Sequence, residues 1–329
     1  MNTIKYIGVD VHSSTCSLCV MDSHGVEIDA KTIATNGRLL IDYLKSLGNN
    51  ISIAFEECDL SSWLFDILRH HVRQVVICNP AANAQYKRAK TDKLDARHLA
   101  DLLRGGYLLP VFHDGSEREK FRVLVSAYED IVQEIVRSRN RLRALKRRDR
   151  PVSEQKNFLN HVEFIREHST DHLQQLLRSQ DEYQLKLQSS IKRFKETKYL
   201  LSIPGIGPIQ TARIIAQVVD PGRFKNKYKF FAYCGLVRHP RISNKRFYGA
   251  TRIFGNRMLK CVFKMAAHSA LRGDNALRTY YESLRDKGLG DDDARNAVAR
   301  KIATLTLTLW KNNQCFNEKK LLQSLPVKA

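Results

Sequence analysis

The sequence has no apolar run near the roughly 18 residues that a bilayer-crossing helix needs. Its opening, MNTIKYIGVDVHSS, lacks the charged, apolar and small-residue regions of a secretory leader. No lipidation motif marks an anchor, so a membrane protein is not expected and a cytoplasmic, nucleoid-associated one is. The seven cysteines lack a pattern: they stand at 16, 19, 58, 78, 234, 261 and 315, odd in number, with no second pair at zinc-ligand spacing. Cys16 and Cys19 form a C-x-x-C, but on a strand their side chains would point to opposite faces. Reduced structural thiols are the expectation. The pair His70–His71 is isolated and reads as surface, and no repeats or low-complexity segments stand out.

Acidic residues are also scarce in one part of the chain. Residues 1–110 hold 12 basic and 12 acidic residues, so this part is neutral. The rest holds 43 basic against 22 acidic and carries the whole net charge of +21. A neutral unit joined to a strongly basic remainder predicts a catalytic domain with a partner that grips a polyanion, with nucleic acid favoured over a membrane surface.

Three strand-like runs come first, KYIGVDVH (5–12), TCSLCVMD (15–22) and VEIDAKTIA (26–34), separated by short turns, and they predict an antiparallel meander. A helix follows at about 37–47, a strand at 51–57, a helix at 61–71 and a strand at 74–79, and a last helix at about 92–104 completes the series. The order βββαβαβα is the ribonuclease-H-like arrangement, with a generic α/β domain as the alternative. A long helix over 116–148 shows apolar steps of three and four at Phe121, Leu124, Tyr128, Ile131, Ile135, Leu142 and Leu145, interrupted by Ser138. That is the seam of a coiled coil. Its C-terminal end is basic, with Arg139, Arg143 and Arg147 among its cations. With a second helical stretch at about 154–200 it predicts an arm that dimerises and touches phosphates, against a purely structural hairpin as the alternative.

LLSIPGIGPIQTARIIAQV (200–218) resembles the helix-hairpin-helix element of DNA-repair and recombination proteins. There Gly205 and Gly207 would let backbone N–H groups approach a phosphate; a plain helix–helix turn would use the same residues. The last hundred residues read as mostly helical around a loop-like 238–256. The expected organisation is α/β plus mostly α: a catalytic domain at 1–110, a coiled-coil arm at 111–198 and a helical C-terminal domain at 199–329.

The stretch KTDKLDARHLADLL (90–103) sets Asp92 and Asp95 on one helix face, with Lys90, Lys93 and Arg97 beside them. A solvated helix start explains such acids as well, since they suit the dipole. Asp10, however, is a lone acid between Val9 and Val11 in an apolar strand, and there a carboxylate needs a partner or a metal. Glu56 and Glu57 end the fourth strand. Four carboxylates converging at one sheet end would hold two Mg²⁺ ions, or Mn²⁺, for phosphoryl transfer, and the cations near Asp92 would draw in the phosphate backbone.

The motifs YIGVDVH, AFEECDLSSWLFDIL, VVICNPAANAQYKRAKTDKLDARHLADLL, LLSIPGIGPIQTARIIAQV and FFAYCGLVRHPRISNK, followed by GNRMLK, give the chain a nearly end-to-end resemblance to DEDD transposases of the insertion-sequence-110 type, a family that includes the Piv-type DNA invertases. The resemblance implies a RuvC-like first domain with a tetrad Asp10, Glu56, Asp92 and Asp95. Glu56 is preferred to Glu57 because it directly follows Ala54–Phe55. It also implies a nucleophilic serine eight residues beyond the Gly235 of a Gly–Leu pair, which is Ser243, forming a phosphoserine link to a DNA end. Arg241, Lys245 and Arg246 surround it. Asn244 stands where the family has glycine, and Phe254 where it often has a basic residue. The implied assembly is a homodimer or homotetramer acting on DNA and guided by a structured non-coding RNA. Alternatives are a Piv-type invertase, a RuvC-like endonuclease that hydrolyses junctions, and a non-catalytic nucleic-acid-binding relic.

Overall fold

The structure is a computed structural model that describes residues 3–80, 91–148, 156–238, 240–244, 246–250 and 255–323. The chain divides into two compact units, Met1–Lys120 and Phe121–Ala329.

The first unit is built on a five-stranded mixed sheet of β1 (Lys5–Val11), β2 (Thr15–Met21), β3 (Glu27–Ala34), β4 (Ile51–Glu56) and β5 (Gln74–Cys78), in the order β3-β2-β1-β4-β5. The meander β1–β2–β3 is antiparallel, and β4 and β5 continue parallel to β1. Alternation sorts the side chains into two layers. Ile7, Val9, Cys16, Leu18, Ile53, Phe55 and Ile77 form one core with Leu40 and Leu44 of α1 (Gly37–Leu47) and Leu64 and Leu68 of α2 (Ser61–Leu68). Ala54 and Cys78 on the opposite face meet Leu99 and Leu103 of α3 (Asp92–Gly105). Cys19 and Met21 cluster with Ala96 and Ala100 of the same helix. Cys16 and Cys19 thus face opposite ways, and both are free thiols.

The second unit is helical, apart from one hairpin. The long helix α4 (Glu117–Arg148) enters it from Phe121, and α5 (Lys156–Ile191) follows. Phe121, Val125 and Tyr128 share one core with Leu187, Ile191 and Phe194, so the first part of the expected seam is buried within the chain itself. Glu129 of α4 pairs with Arg213 at 2.6 Å. The turn that leads from α6 (Thr197–Leu201) to α7 (Pro208–Val218) contains Gly205 at φ 88°. A Cβ on Gly205 would come within 2.1 Å of the Ala266 carbonyl oxygen, so this glycine is required where the turn presses on another helix. After α8 (Lys227–Tyr233), the stretch expected as a loop holds an antiparallel hairpin, β6 (Pro240–Ser243) and β7 (Arg246–Ala250). Its sequence contains β-branched and aromatic residues that suit strands, and Asn244 takes φ 45° in the connection. The remaining helices are α9 (Arg257–Ala270), α10 (Ala276–Asp286), α11 (Asp291–Asn312) and α12 (Glu318–Gln323). Among the described residues, no helix is long and apolar enough to cross a membrane.

Candidate functional site

Gly8 positions the site. A Cβ there would lie 2.0 Å from the Ala96 carbonyl oxygen and 2.4 Å from the Ala100 amide nitrogen, so only glycine lets α3 rest its backbone on β1. Thr91 caps the helix, its Oγ1 accepting from the Leu94 N–H at 3.3 Å. The first turn, with Asp92 and Asp95, therefore lies near the end of β1, where Asp10 follows Gly8 by two residues on the same face. Glu56 lies one step beyond the Val9–Phe55 pairing, so on the neighbouring strand it faces the same side as Asp10.

His12 joins this group. Its Nε2 lies 3.3 Å from Asp10 Oδ2 and 3.6 Å from Asp92 Oδ2. Burial raises the Asp10 carboxyl above the usual aspartate value. His12 opposes the rise, and the charges of Asp92 and Asp95 add to it. Such a carboxylate gains from a cation. Asp10, His12 and Asp92 each offer one ligand atom, all within 4.8 Å of one another, and Glu56 and Asp95 fall outside that tight set. Two carboxylates and an imidazole are a donor set that could hold a divalent cation. His12 was missed in the sequence, although D-x-H on a strand places both side chains on one face.

Glu57, beside Glu56, lies 3.8 Å from His113 Nε2. His113 Nδ1 donates to the buried Glu119, which also accepts from the N–H groups of Asp114 and Gly115 at 2.9 and 2.7 Å and from Ser62 Oγ at 3.1 Å. Burial alone would raise the Glu119 carboxyl, but these donors outweigh it and hold the carboxyl at about 2.

In the second unit Ser243 is exposed at the end of β6, directly opposite Arg246 across the hairpin. Directly opposed side chains share a face with Cβ atoms about 5 Å apart. Lys93, Arg139 and Arg143 are exposed. Gly207 is the extended N-cap residue of α7. Lys90, Lys245 and Phe254 lie outside the described residues, as do the side chains of Arg147 and Arg241.

A family model described as Transposase matches residues 7–147, and a second, Transposase IS116/IS110/IS902 family, matches residues 197–282. The chain belongs to the IS110-type transposase family. It is 29% identical over 118 residues to a 44.8 kDa protein of insertion element IS116 from Streptomyces clavuligerus, covering 35% of this chain and 29% of that protein. It is 27% identical over 122 residues to a 43.6 kDa protein of insertion element IS110 from Streptomyces coelicolor, covering 36% of this chain and 30% of that one. The chain spans less than a third of the length of either relative. The first IS110-type match takes in all four tetrad positions and the second takes in Ser243.

Proposed function

We propose that this chain is a DNA transposase that cuts and rejoins strands, with Asp10, Glu56, Asp92 and Asp95 as metal-holding acids and Ser243 as nucleophile. The strand order β3-β2-β1-β4-β5, with an acid on the central strand, supports a ribonuclease-H-like, RuvC-like first unit. The observation that carries the reading is the gathering of Asp10 and Asp92 around one point, with Asp10 desolvated and pressed by like charge. A divalent cation held there would neutralise charge on phosphate oxygens. The chain's own residues align the cluster: Gly8 seats α3, Thr91 fixes its first turn, and His12 bridges the two aspartates.

In the serine step, Ser243 Oγ attacks a phosphodiester phosphorus. The Oγ–P bond forms as the P–O bond to one deoxyribose breaks, and the serine proton is passed on so that the released sugar oxygen leaves as a hydroxyl. Arg246, opposite Ser243, would stabilise the charge that develops on the phosphate. Rejoining reverses these bonds with a second strand. A structured non-coding RNA as guide, Arg139, Arg143 and Arg147 as backbone contacts, and a homodimer or homotetramer belong to the same reading.

The test places the gene with its native flanking DNA in cells and amplifies across newly joined ends. Wild type is expected to give joined ends that both Asp10→Ala and Ser243→Ala abolish. Joining that survives Ser243→Ala would remove the serine from the mechanism and put a hydrolytic or different nucleophilic route in its place.

A further inference from the structure

In the second unit the lining of a cavity of about 560 Å³ includes Arg238, Lys260, Lys264, Asp293, Asn296 and Arg300. A neighbouring cavity of about 330 Å³ shares Lys264 and Asn296 with it and adds His268, Asp292 and Arg295. The two form one cleft between α9 and α11. Lys260 and Lys264 are four apart on α9, and Asn296 and Arg300 are four apart on α11, so each helix aims one face into the cleft.

These cations differ from the other surface cations of this unit. Arg278 pairs with Glu282 at 3.0 Å, the arrangement of an ordinary solvated helix face, and Arg295, at the edge of the smaller cavity, is held by Asp291 at 2.9 Å. Among the described residues, Arg238, Lys260, Lys264 and Arg300 have no carboxylate within 4.0 Å, and Asp293 is the one acid in the larger cavity's lining. Four cations that outnumber the two acids lining the cleft, Asp292 and Asp293, are stabilised when an anion enters.

We propose that this cleft is a phosphodiester-backbone site, in which Arg238, Lys260, Lys264 and Arg300 hold successive phosphates of the strand presented to Ser243, with the Asn296 amide as a further donor. Arg238 precedes Ser243 by five residues, at most about 17 Å of extended chain. At about 3.4 Å of rise per phosphate on one strand, that is a reach of roughly five nucleotides. The inference rests on the transposase reading and adds to it a grip at a defined place. DNA and RNA share the backbone chemistry.

The test measures binding of labelled single-stranded DNA, duplex DNA and RNA by anisotropy over a salt series, using the full chain. The variant Lys260→Gln/Lys264→Gln/Arg300→Gln is expected to flatten the dependence of log K on log[salt] by about two to three, since each phosphate contact contributes roughly 0.7–0.9. Arg278→Gln, on the paired helix face, is expected to leave the slope unchanged. The exposed Lys264→Glu alone tests the same point without touching the core, and its thermal unfolding should match that of wild type. Loss confined to the RNA arm would overturn the placement of the cut DNA strand in the cleft. An unchanged slope in the triple variant, with wild type binding well, would overturn the cleft alone. Failure of wild type to bind any strand would overturn the functional reading and the cleft with it.

Discussion

Asp10 lies on the central strand of a five-stranded sheet, with a helix seated against the glycine two residues before it. Ser243 ends a four-residue strand in a two-stranded hairpin and is exposed. The acid cluster takes its geometry from a packed core: β1 cannot shift without moving α3, and α3 cannot shift without moving Asp92 and Asp95. The serine takes its geometry from one local pairing and an Asn244 turn, and an isolated hairpin in water is marginal by itself. Preorganisation is therefore strong at the acids and local at the serine. A bound strand, gripped nearby, would complete the latter.

Perturbations of the packing and buried hydrogen bonds of the first unit should cost stability, and perturbations of the hairpin should not. Glu119→Ala is expected to have the largest effect, on the order of 3 kcal/mol by chemical denaturation, because it leaves buried donors without their acceptor. Because the Glu119 carboxyl is held at about 2 against an ordinary 4.5, its contribution is full above pH 4.5 and is lost as pH falls toward 2. The variant should lack that part of the acid-side slope. Gly8→Ala comes next, at about 1–3 kcal/mol, because its Cβ would overlap the α3 backbone. Strand joining should fall with it, although no acid has been changed.

Asp10→Asn should move stability the other way. The folded state raises the Asp10 carboxyl, so wild type without metal loses stability as pH rises through the interval from 3.8 to the raised value. The variant should escape that loss and be more stable than wild type at neutral pH, read as a higher Tm by calorimetry, while losing activity. Smallest of all, Ser243→Ala and Asn244→Gly should stay within about 0.5 kcal/mol of wild type, since both positions are exposed and Asn244 already holds a positive φ. A large loss of stability in either would overturn the contrast between the two regions.

The series β1 to α3 was legible to within three residues at each boundary, because two-residue and 3.6-residue periods are strong there and the turns are short. Asp10 stood out because it interrupts an apolar strand. Other features depend on contacts distant in sequence. The roles of Gly8 and His12 follow from where α3 lands, and the pairing of His113 with Glu119 follows from how the loop before α4 folds back on its first turn. The apolar seam of α4 was visible, but the intrachain core that buries Phe121 and Tyr128 was not. The hairpin reads as a loop in the sequence because its strands, PRIS and RFYGA, are short and each carries an arginine. The cleft cations are spread over residues 238–300 and become neighbours only when α9 and α11 pack together.

The most direct test of the central claim is a calorimetric titration of the protein with Mn²⁺ and Mg²⁺, comparing wild type with Asp10→Asn and Asp92→Asn. A cation held between these aspartates predicts saturable binding that each variant weakens by at least about tenfold, the lower end of what even outer-shell partners of a metal contribute. Equal affinity in all three proteins would contradict the account.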